Sequence, residues 1–364
     1  MNCETSIRGC NRCEVLPNKL PMQGDLYLWF PIGHTFNKAV TRLQELSLTM
    51  TVVAADARVM ISYLESNIQP MFAILGEILT DTELQDTRSL ITQPNCSPSF
   101  ADLPCVMSLR RLLALFNSQW LLDLLAEQRI TSHFQPIVSV EHPERIFAYE
   151  ALMRGVDGAN LVPPFRLLTA AKSAGVLFHL DLAARQSAIR QMSHHGFPEK
   201  LFINFTPTSI YDPSFCLSST VRVIDALGVA HEKIVFEITE SEQVQDLARL
   251  QEILTFYRRA GFQVALDDIG SGYSSLNLLH QLRPDYVKLD MELTRHVYDD
   301  TYKATITSKI LEITQELGIA TVAEGIETVE EWHWFRRAGA TFVQGYLFGK
   351  PADQPQRAIA LSVQ

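Results

Sequence analysis

The chain has 364 residues, 47% of them hydrophobic and 20% charged, which is enough apolar material for two packed domains and too much for a disordered chain. A net charge of −10 argues against the basic footprint of a protein that binds DNA or RNA, although a small anionic ligand stays compatible if bound cations reverse the local field. No apolar run is as long as a membrane span, and the first residues lack the blocks of a secretory leader. The sequence therefore reads as cytoplasmic, where its six cysteines need not pair.

Residues 1–100 read as a small α+β module with a sensory or regulatory role. Cys3, Cys10 and Cys13 open it. The CxxC spacing of Cys10 and Cys13 can hold zinc or cycle redox state; plain reduced thiols compete with that reading, because no second CxxC follows. Apolar spacing predicts a strand over 26–31, a helix over 36–48, a strand over 49–55 and a helix over 71–79. Residues 101–130 read as linker and coupling helix. The prolines and serines of 94–104 break the pattern, and then Leu109, Leu112, Leu113, Phe116, Trp120, Leu121, Leu124 and Leu125 recur at helical intervals over 108–127. That helix either packs on the following domain, couples two modules or meets a second copy.

From residue 131 a strand–helix rhythm begins. Strands are predicted over 134–140, 147–153, 201–205, 234–239, 263–269, 286–291, 320–324 and 342–348. Most are separated by amphipathic helices, over 164–174, 182–194, 220–227, 242–260, 302–317 and 329–338. Apolar strands joined by helices imply a parallel sheet covered on both faces, and eight of them fit an α/β (β/α)8 TIM-like barrel over 131–356. The connection between the first two strands is short and polar. They are expected to pair as an antiparallel hairpin, which makes the barrel irregular at its first strand.

The strand ends carry the chemistry. Glu150, Asn204, Glu237, Asp267 with Asp268, Lys288, Glu324 and Gln344 each stand where a predicted strand finishes, the end of a barrel at which active sites are built. Acids gathered at one point must share protons or be held by cations. Asp267 and Asp268 are the sharpest case: a helix cap accounts for one of them, not both, and Gly270 and Gly272 follow in a loop of unusual backbone freedom. Glu237 and Glu240 fall on opposite faces of a strand, so one can enter the mouth while the other anchors a loop. Lys288 interrupts an apolar strand, and a buried lysine needs a carboxylate partner or a task. Arg154 follows Glu150 by four residues and suits bidentate phosphate contact, although a surface Glu–Arg pair explains that string equally well.

Taken together, these strings, including Glu150-Ala151-Leu152, resemble the EAL-domain family of cyclic di-GMP phosphodiesterases over about residues 110–355. The resemblance implies hydrolysis of cyclic di-GMP to 5′-pGpG with two Mg²⁺ or Mn²⁺ ions per site, and a homodimer. It implies that Glu150, Asn204, Glu237 and Asp267 hold the first metal, with Asp267 bridging to the second and Asp268 serving that second ion. Lys288 would sit close to the attacking water, and Glu324 would act on that water or hold a metal through another; Glu150, Lys288 and Glu324 are the catalytic set. Gln135, Leu152, Arg154 and Asn204 would contact the substrate. Gln344 and Glu327 would support the site, and Glu240 would tether the glycine-rich loop. That loop departs mildly from the family, with Ile269 where Phe is usual and Ser271 where Thr is usual. A receptor that binds without cutting is the main rival, although no matched ligand is missing. A two-carboxylate glycosidase would need neither Asn, Lys nor adjacent aspartates.

Overall fold

The computed structural model describes residues 15–17, 19–46, 48–207, 210, 217–239, 247–270 and 275–359. Cys3, Cys10, Cys13 and Glu240 lie outside the described residues. The described chain divides into two compact units, Leu16–Ala126 with Phe165–Leu177, and Glu127–Pro164 with the residues from Phe178 onward.

The first unit is built on a five-stranded antiparallel sheet. Its strands are β1 (Gly24–Trp29), β2 (Thr49–Val53), β3 (Arg58–Tyr63), β4 (Arg88–Thr92) and β5 (Met107–Ser108), in the order β2-β3-β1-β4-β5. Alternation decides which face is covered. Leu26 and Leu28 on β1 and Val59, Ile61 and Tyr63 on β3 are buried in one cluster with Phe36, Leu43, Met71 and Leu75 from the helices Gly33–Gln44 and Glu65–Ile78. The second helix begins six residues before the sequence suggests, because it takes in Pro70, which ordinarily marks a boundary. β3, β4 and β5 escape the sequence reading. The apolar stretch 108–127 forms two helices, Leu109–Asn117 and Gln119–Ala126, broken at Ser118, and Leu109, Leu112 and Leu113 belong to this core. The helix Pro164–Ala174 also lies largely in this unit, with the Arg166 guanidinium stacked 4.9 Å from the Trp120 ring centre.

The second unit is a closed eight-stranded barrel. Its strands are β6 (Ile130–Ser139), β7 (Ile146–Asp157), β9 (Lys200–Asn204), β10 (Ile234–Thr239), β11 (Gln263–Ile269), β12 (Tyr286–Leu289), β13 (Ala320–Ala323) and β14 (Phe342–Gln344). β8 (Asn160–Val162) hangs on the outside of β7. From β7 through β14 every neighbour in the ring is parallel. β6 closes the ring antiparallel to both β7 and β14, the irregular first strand expected from the short connection. The outward faces of the strands, with Phe236, Val264, Leu266, Val287 and Leu289, pack against helices such as Leu247–Arg259, whose Tyr257 stacks 4.0 Å from Phe236.

Candidate metal centre at the barrel mouth

The barrel interior is stacked in layers. Ile137, Ala148, Phe202, Val235, Ala265, Tyr286 and Val322 form one buried apolar cluster, with Phe342 packed on it. Side chains alternate along a strand, so the next interior layer lies two residues on. On the parallel strands that step lands on Glu150, Asn204, Glu237, Asp267, Lys288, Glu324 and Gln344. On the antiparallel β6 the same layer is reached two residues earlier, at Gln135. Eight polar side chains thus face one another above an apolar floor, for no reason beyond register.

Lys288 sits at the centre and is 1% exposed. Its Nζ lies 2.6 Å from Glu324 Oε1, 2.8 Å from Glu237 Oε1, 3.2 Å from Asp267 Oδ1 and 3.5 Å from Glu150 Oε2. The Gln344 amide donates to Glu150 Oε2 at 2.7 Å and to Gln135 Oε1 at 3.2 Å, and Gln135 donates onward to the Gly349 carbonyl. Asn204 Nδ2 donates to Glu150 Oε1 at 3.2 Å. Both oxygens of Glu150 are therefore oriented by amides, from β9 beside it and from β14 across β6.

Asp268 reaches the site by a different route. Strict alternation would turn it away from Asp267. The pairing of β11 with β12 slips between Leu266 and Ile269, and Asp268 adopts φ +59°, a left-handed conformation uncommon outside glycine. Oxygens of Asp267, Asp268 and Glu324 consequently all lie within 4.8 Å of one another. The backbone N–H of Asp268 donates to Asp267 Oδ1 at 3.0 Å.

Charge is badly unbalanced. Five carboxylates stand beside one ammonium, an excess of four negative charges when all of them are ionised. Burial pushes Glu237 and Glu324 well above the ordinary carboxylate range and raises Asp267 as well; Lys288 counters it, and neighbouring acids add to it. Burial and Asp267 push Asp268 up to about 7. Burial alone would lower Lys288, but Asp267, Glu150, Glu237 and Glu324 together hold it well above its usual value. Glu237 is wholly buried, and its Oε2 has no hydrogen-bonding partner among the described residues. An orphaned oxygen in a cage of oxygen donors fits a hard divalent cation, and two such ions would cancel the surplus charge.

The remaining predicted residues fall as follows. Leu152 and Arg154 continue β7 past Glu150; the Arg154 guanidinium donates to the carbonyls of Leu152 and Met153 at 3.3 and 2.8 Å. Glu327 is not brought to the centre: it is paired with Arg295 at the surface. The turn it occupies is instead fixed by Glu331, whose buried carboxylate accepts from the N–H groups of Glu327, Thr328 and His296. Gly345 lets the Glu324–Glu327 turn close on Gln344: a Cβ there would lie 2.0 Å from the Ile326 carbonyl oxygen. Asp181 and Arg185, which no motif in the sequence marks, form a buried ion pair on the helix Leu177–His195. The signal was present, since both fall at helical spacing with the buried Ala188 and Met192.

The family model described as EAL domain matches residues 118–351. The chain is 30% identical over 234 residues to the probable cyclic di-GMP phosphodiesterase PdeG of Escherichia coli (strain K12), covering 61% of this chain and 44% of that protein. It is 29% identical over 218 residues to the blue light- and temperature-regulated antirepressor BluF of the same organism, covering 60% of this chain and 53% of the relative. The chain thus spans about half the length of these curated relatives. Among solved structures, a standalone versatile EAL protein from Vibrio cholerae O395 in its c-di-GMP-bound form superposes with a TM-score of 0.59 at 36% identity, covering 63% of this chain and 95% of that one.

Proposed function

Because the chain belongs to the EAL domain family, we propose that its barrel hydrolyses cyclic di-GMP to linear 5′-pGpG in a reaction that depends on divalent metal. The observation that carries this reading is the set of four carboxylates around one buried ammonium, with Asp268 beside Asp267 and Glu324 and with a Glu237 oxygen that has no partner among the described residues. A two-metal phosphodiesterase needs such a donor set. When bound, a pair of Mg²⁺ or Mn²⁺ ions supplies an activated water and offsets the charge of the phosphodiester.

The chain's own residues do the rest. Glu150, Asn204, Glu237 and Asp267 would hold the first ion, and Asp267 and Asp268 the second. Gln344 and Asn204 fix the orientation of Glu150, so its oxygens need not reorganise on binding. Lys288 offers a fixed positive charge where negative charge develops. Glu324, paired with Lys288, would act on the attacking water or hold a metal through another water. Gln135, Leu152 and Arg154 line the approach for the substrate, and Arg154 can exchange its carbonyl partners for phosphate. Glu240 would tether the glycine-rich loop that carries Ile269 and Ser271.

A homodimer, a cytoplasmic setting and a sensory role for the first unit belong to the same proposal, as does zinc or redox chemistry at Cys3, Cys10 and Cys13. Metal analysis of the purified chain tests that last point. A second reading, a cyclic di-GMP receptor or protein-binding module, takes support from the resemblance to a relative named as an antirepressor. One assay separates the two: the full chain is incubated with cyclic di-GMP and Mg²⁺ or Mn²⁺, and 5′-pGpG is measured. Turnover that disappears in Glu150→Ala, Asp267→Ala and Lys288→Ala is expected. Binding without product, or parental rates from the Glu150 or Asp267 variant, would defeat the enzymatic reading.

A further inference from the structure

Arg185 has a fully buried side chain, and Asp181, one helical turn before it, is 7% exposed. Their Nη2 and Oδ2 atoms lie 2.8 Å apart. Taking two charges out of water costs several kcal/mol each in real proteins, and apolar residues of similar volume often serve stability as well or better. Stability alone is therefore a poor explanation for this pair. Its outward bonds suggest another.

Asp181 Oδ1 accepts from the backbone N–H of Thr206 at 3.0 Å. Thr206 stands two residues beyond Asn204, the last residue of β9. Arg185 Nη1 donates to Thr220 Oγ1 at 2.7 Å, on the helix Ser218–Ala226, and to the Tyr257 hydroxyl at 3.4 Å. The guanidinium also lies 5.3 Å from the centre of the Phe205 ring. Phe205 in turn donates its N–H to the carbonyl of Glu237 at 2.9 Å. The chain leaving β9 is thus gripped on both sides, by the backbone of one metal-site residue and by the buried ion pair.

We infer that Asp181 and Arg185 are positioning residues for the metal centre: by clamping Phe205 and Thr206 they set where β9 ends, and so hold the Asn204 amide against Glu150. This rests on the proposed function for its effect on turnover, but its structural action can be read independently. A pair that only filled the core would be replaceable by apolar side chains with no consequence at the site. A positioning pair would not.

The test compares the full-length parent with Asp181→Leu/Arg185→Met, which fills the space without directional bonds, and with Asp181→Asn/Arg185→Gln, which keeps an acceptor for Thr206 and a donor without charge. Mn²⁺ affinity is measured by calorimetry, cyclic di-GMP turnover by product formation, and backbone protection by hydrogen–deuterium exchange of the 201–207 peptide. In the apolar double variant, Mn²⁺ affinity and kcat should each fall about 10–100-fold, the range found when partners that orient metal ligands are lost. KM should stay within about twofold, and exchange of 201–207 should quicken. The polar double variant should recover most of the affinity. It is also the fallback if the apolar variant does not fold; its exchange and affinity should then lie close to the parent's, and a loss as deep as that of Asn204→Ala would overturn the inference. Parental affinity, kcat and exchange in the apolar variant would overturn it too. If the parent itself neither binds Mn²⁺ nor turns over, the proposed function fails. The exchange arm then decides the inference alone, and unchanged protection in the apolar variant sinks it.

Discussion

Replacing Lys288 with methionine isolates the charge balance of the barrel mouth. The side chain keeps its slot among packed neighbours, but Glu150, Glu237, Asp267 and Glu324 lose the ammonium that lies 2.6–3.5 Å from each of them. Breaking a buried pair and leaving the partner charged costs about 3–5 kcal/mol. The acids have a cheaper escape. A carboxyl with an ordinary pKa near 4.3 takes up a proton at pH 7 for about 3.7 kcal/mol, at about 1.36 kcal/mol per unit. Glu237 and Glu324 already sit well above the ordinary range, so the proton costs them less. The expected loss in metal-free protein is about 2–3 kcal/mol at neutral pH. Its sign with pH is fixed. Carboxyls whose folded values are raised bind more protons folded than unfolded, so stability falls as pH rises from the unfolded value toward the folded one. The variant should therefore match its parent near pH 4.5 and fall progressively further below it as pH rises to neutrality and beyond. Urea unfolding followed by circular dichroism in EDTA, at acid and neutral pH, reads this directly. Adding Mn²⁺ should restore most of the stability while turnover stays lost. An equal loss at both pH values would mean that a packing defect, not charge, is responsible, and the electrostatic account would be wrong.

Three further outcomes are expected. Gly345→Ala forces a Cβ to 2.0 Å from Ile326 O and 2.3 Å from Ile326 N, backbone that cannot step aside, so stability should drop by about 3 kcal/mol or more and turnover should fall as Gln344 leaves Glu150; a parental melting temperature would contradict the packing seen here. Asp268 is pushed up to about 7, so metal-free protein should lose stability as pH rises from about 4 toward that value, with Glu237, Glu324 and Asp267 adding to the same slope; Asp268→Asn should make the slope shallower and gain about 2 kcal/mol at pH 8, after discounting for partial exposure. Persistence of the parental slope in that variant would show that other groups set it. His231 bridges the Ala260 carbonyl and Asp225, and these bonds raise its pKa although burial works against them. Its contribution is thus present below the unfolded value near 6.5 and lost as pH rises through the folded one; His231→Ala should cost up to about 1 kcal/mol at pH 5.5 and less at pH 8.5, whereas a pH-independent cost in urea unfolding would point to lost stacking on Phe262 instead.

Much of this protein is written in local pattern. The strand–helix rhythm, the eight barrel strands and the polar residue closing nearly all of them follow from hydrophobic periodicity and from the two-residue repeat of a strand. Glu150, Asn204, Glu237, Lys288 and Gln344 are found this way, because one step of alternation beyond an apolar layer fixes their side of the sheet. Even the antiparallel entry of β6 is legible, since its connection to β7 is too short for a crossover. In the first unit the same rules recover β1 and β2 but stop short of β3, β4 and β5, whose strand signals are brief.

What only the tertiary structure decided is how the rows close. Ring closure brings Gln135, on the antiparallel strand, level with Gln344 from the far end of the barrel, a contact that spans 209 residues and has no local trace. The slip in β11 and the left-handed backbone at Asp268 turn two consecutive carboxylates to one side, against the alternation that any sequence rule would apply. Glu327 looks like part of the acidic ring in sequence but finds Arg295 instead, while Asp181 and Arg185 look like an ordinary helical face and prove to be buried together. Propensity and periodicity act over a few residues, whereas register, bulges and the pairing of buried charges are settled by contacts between strands far apart in the chain.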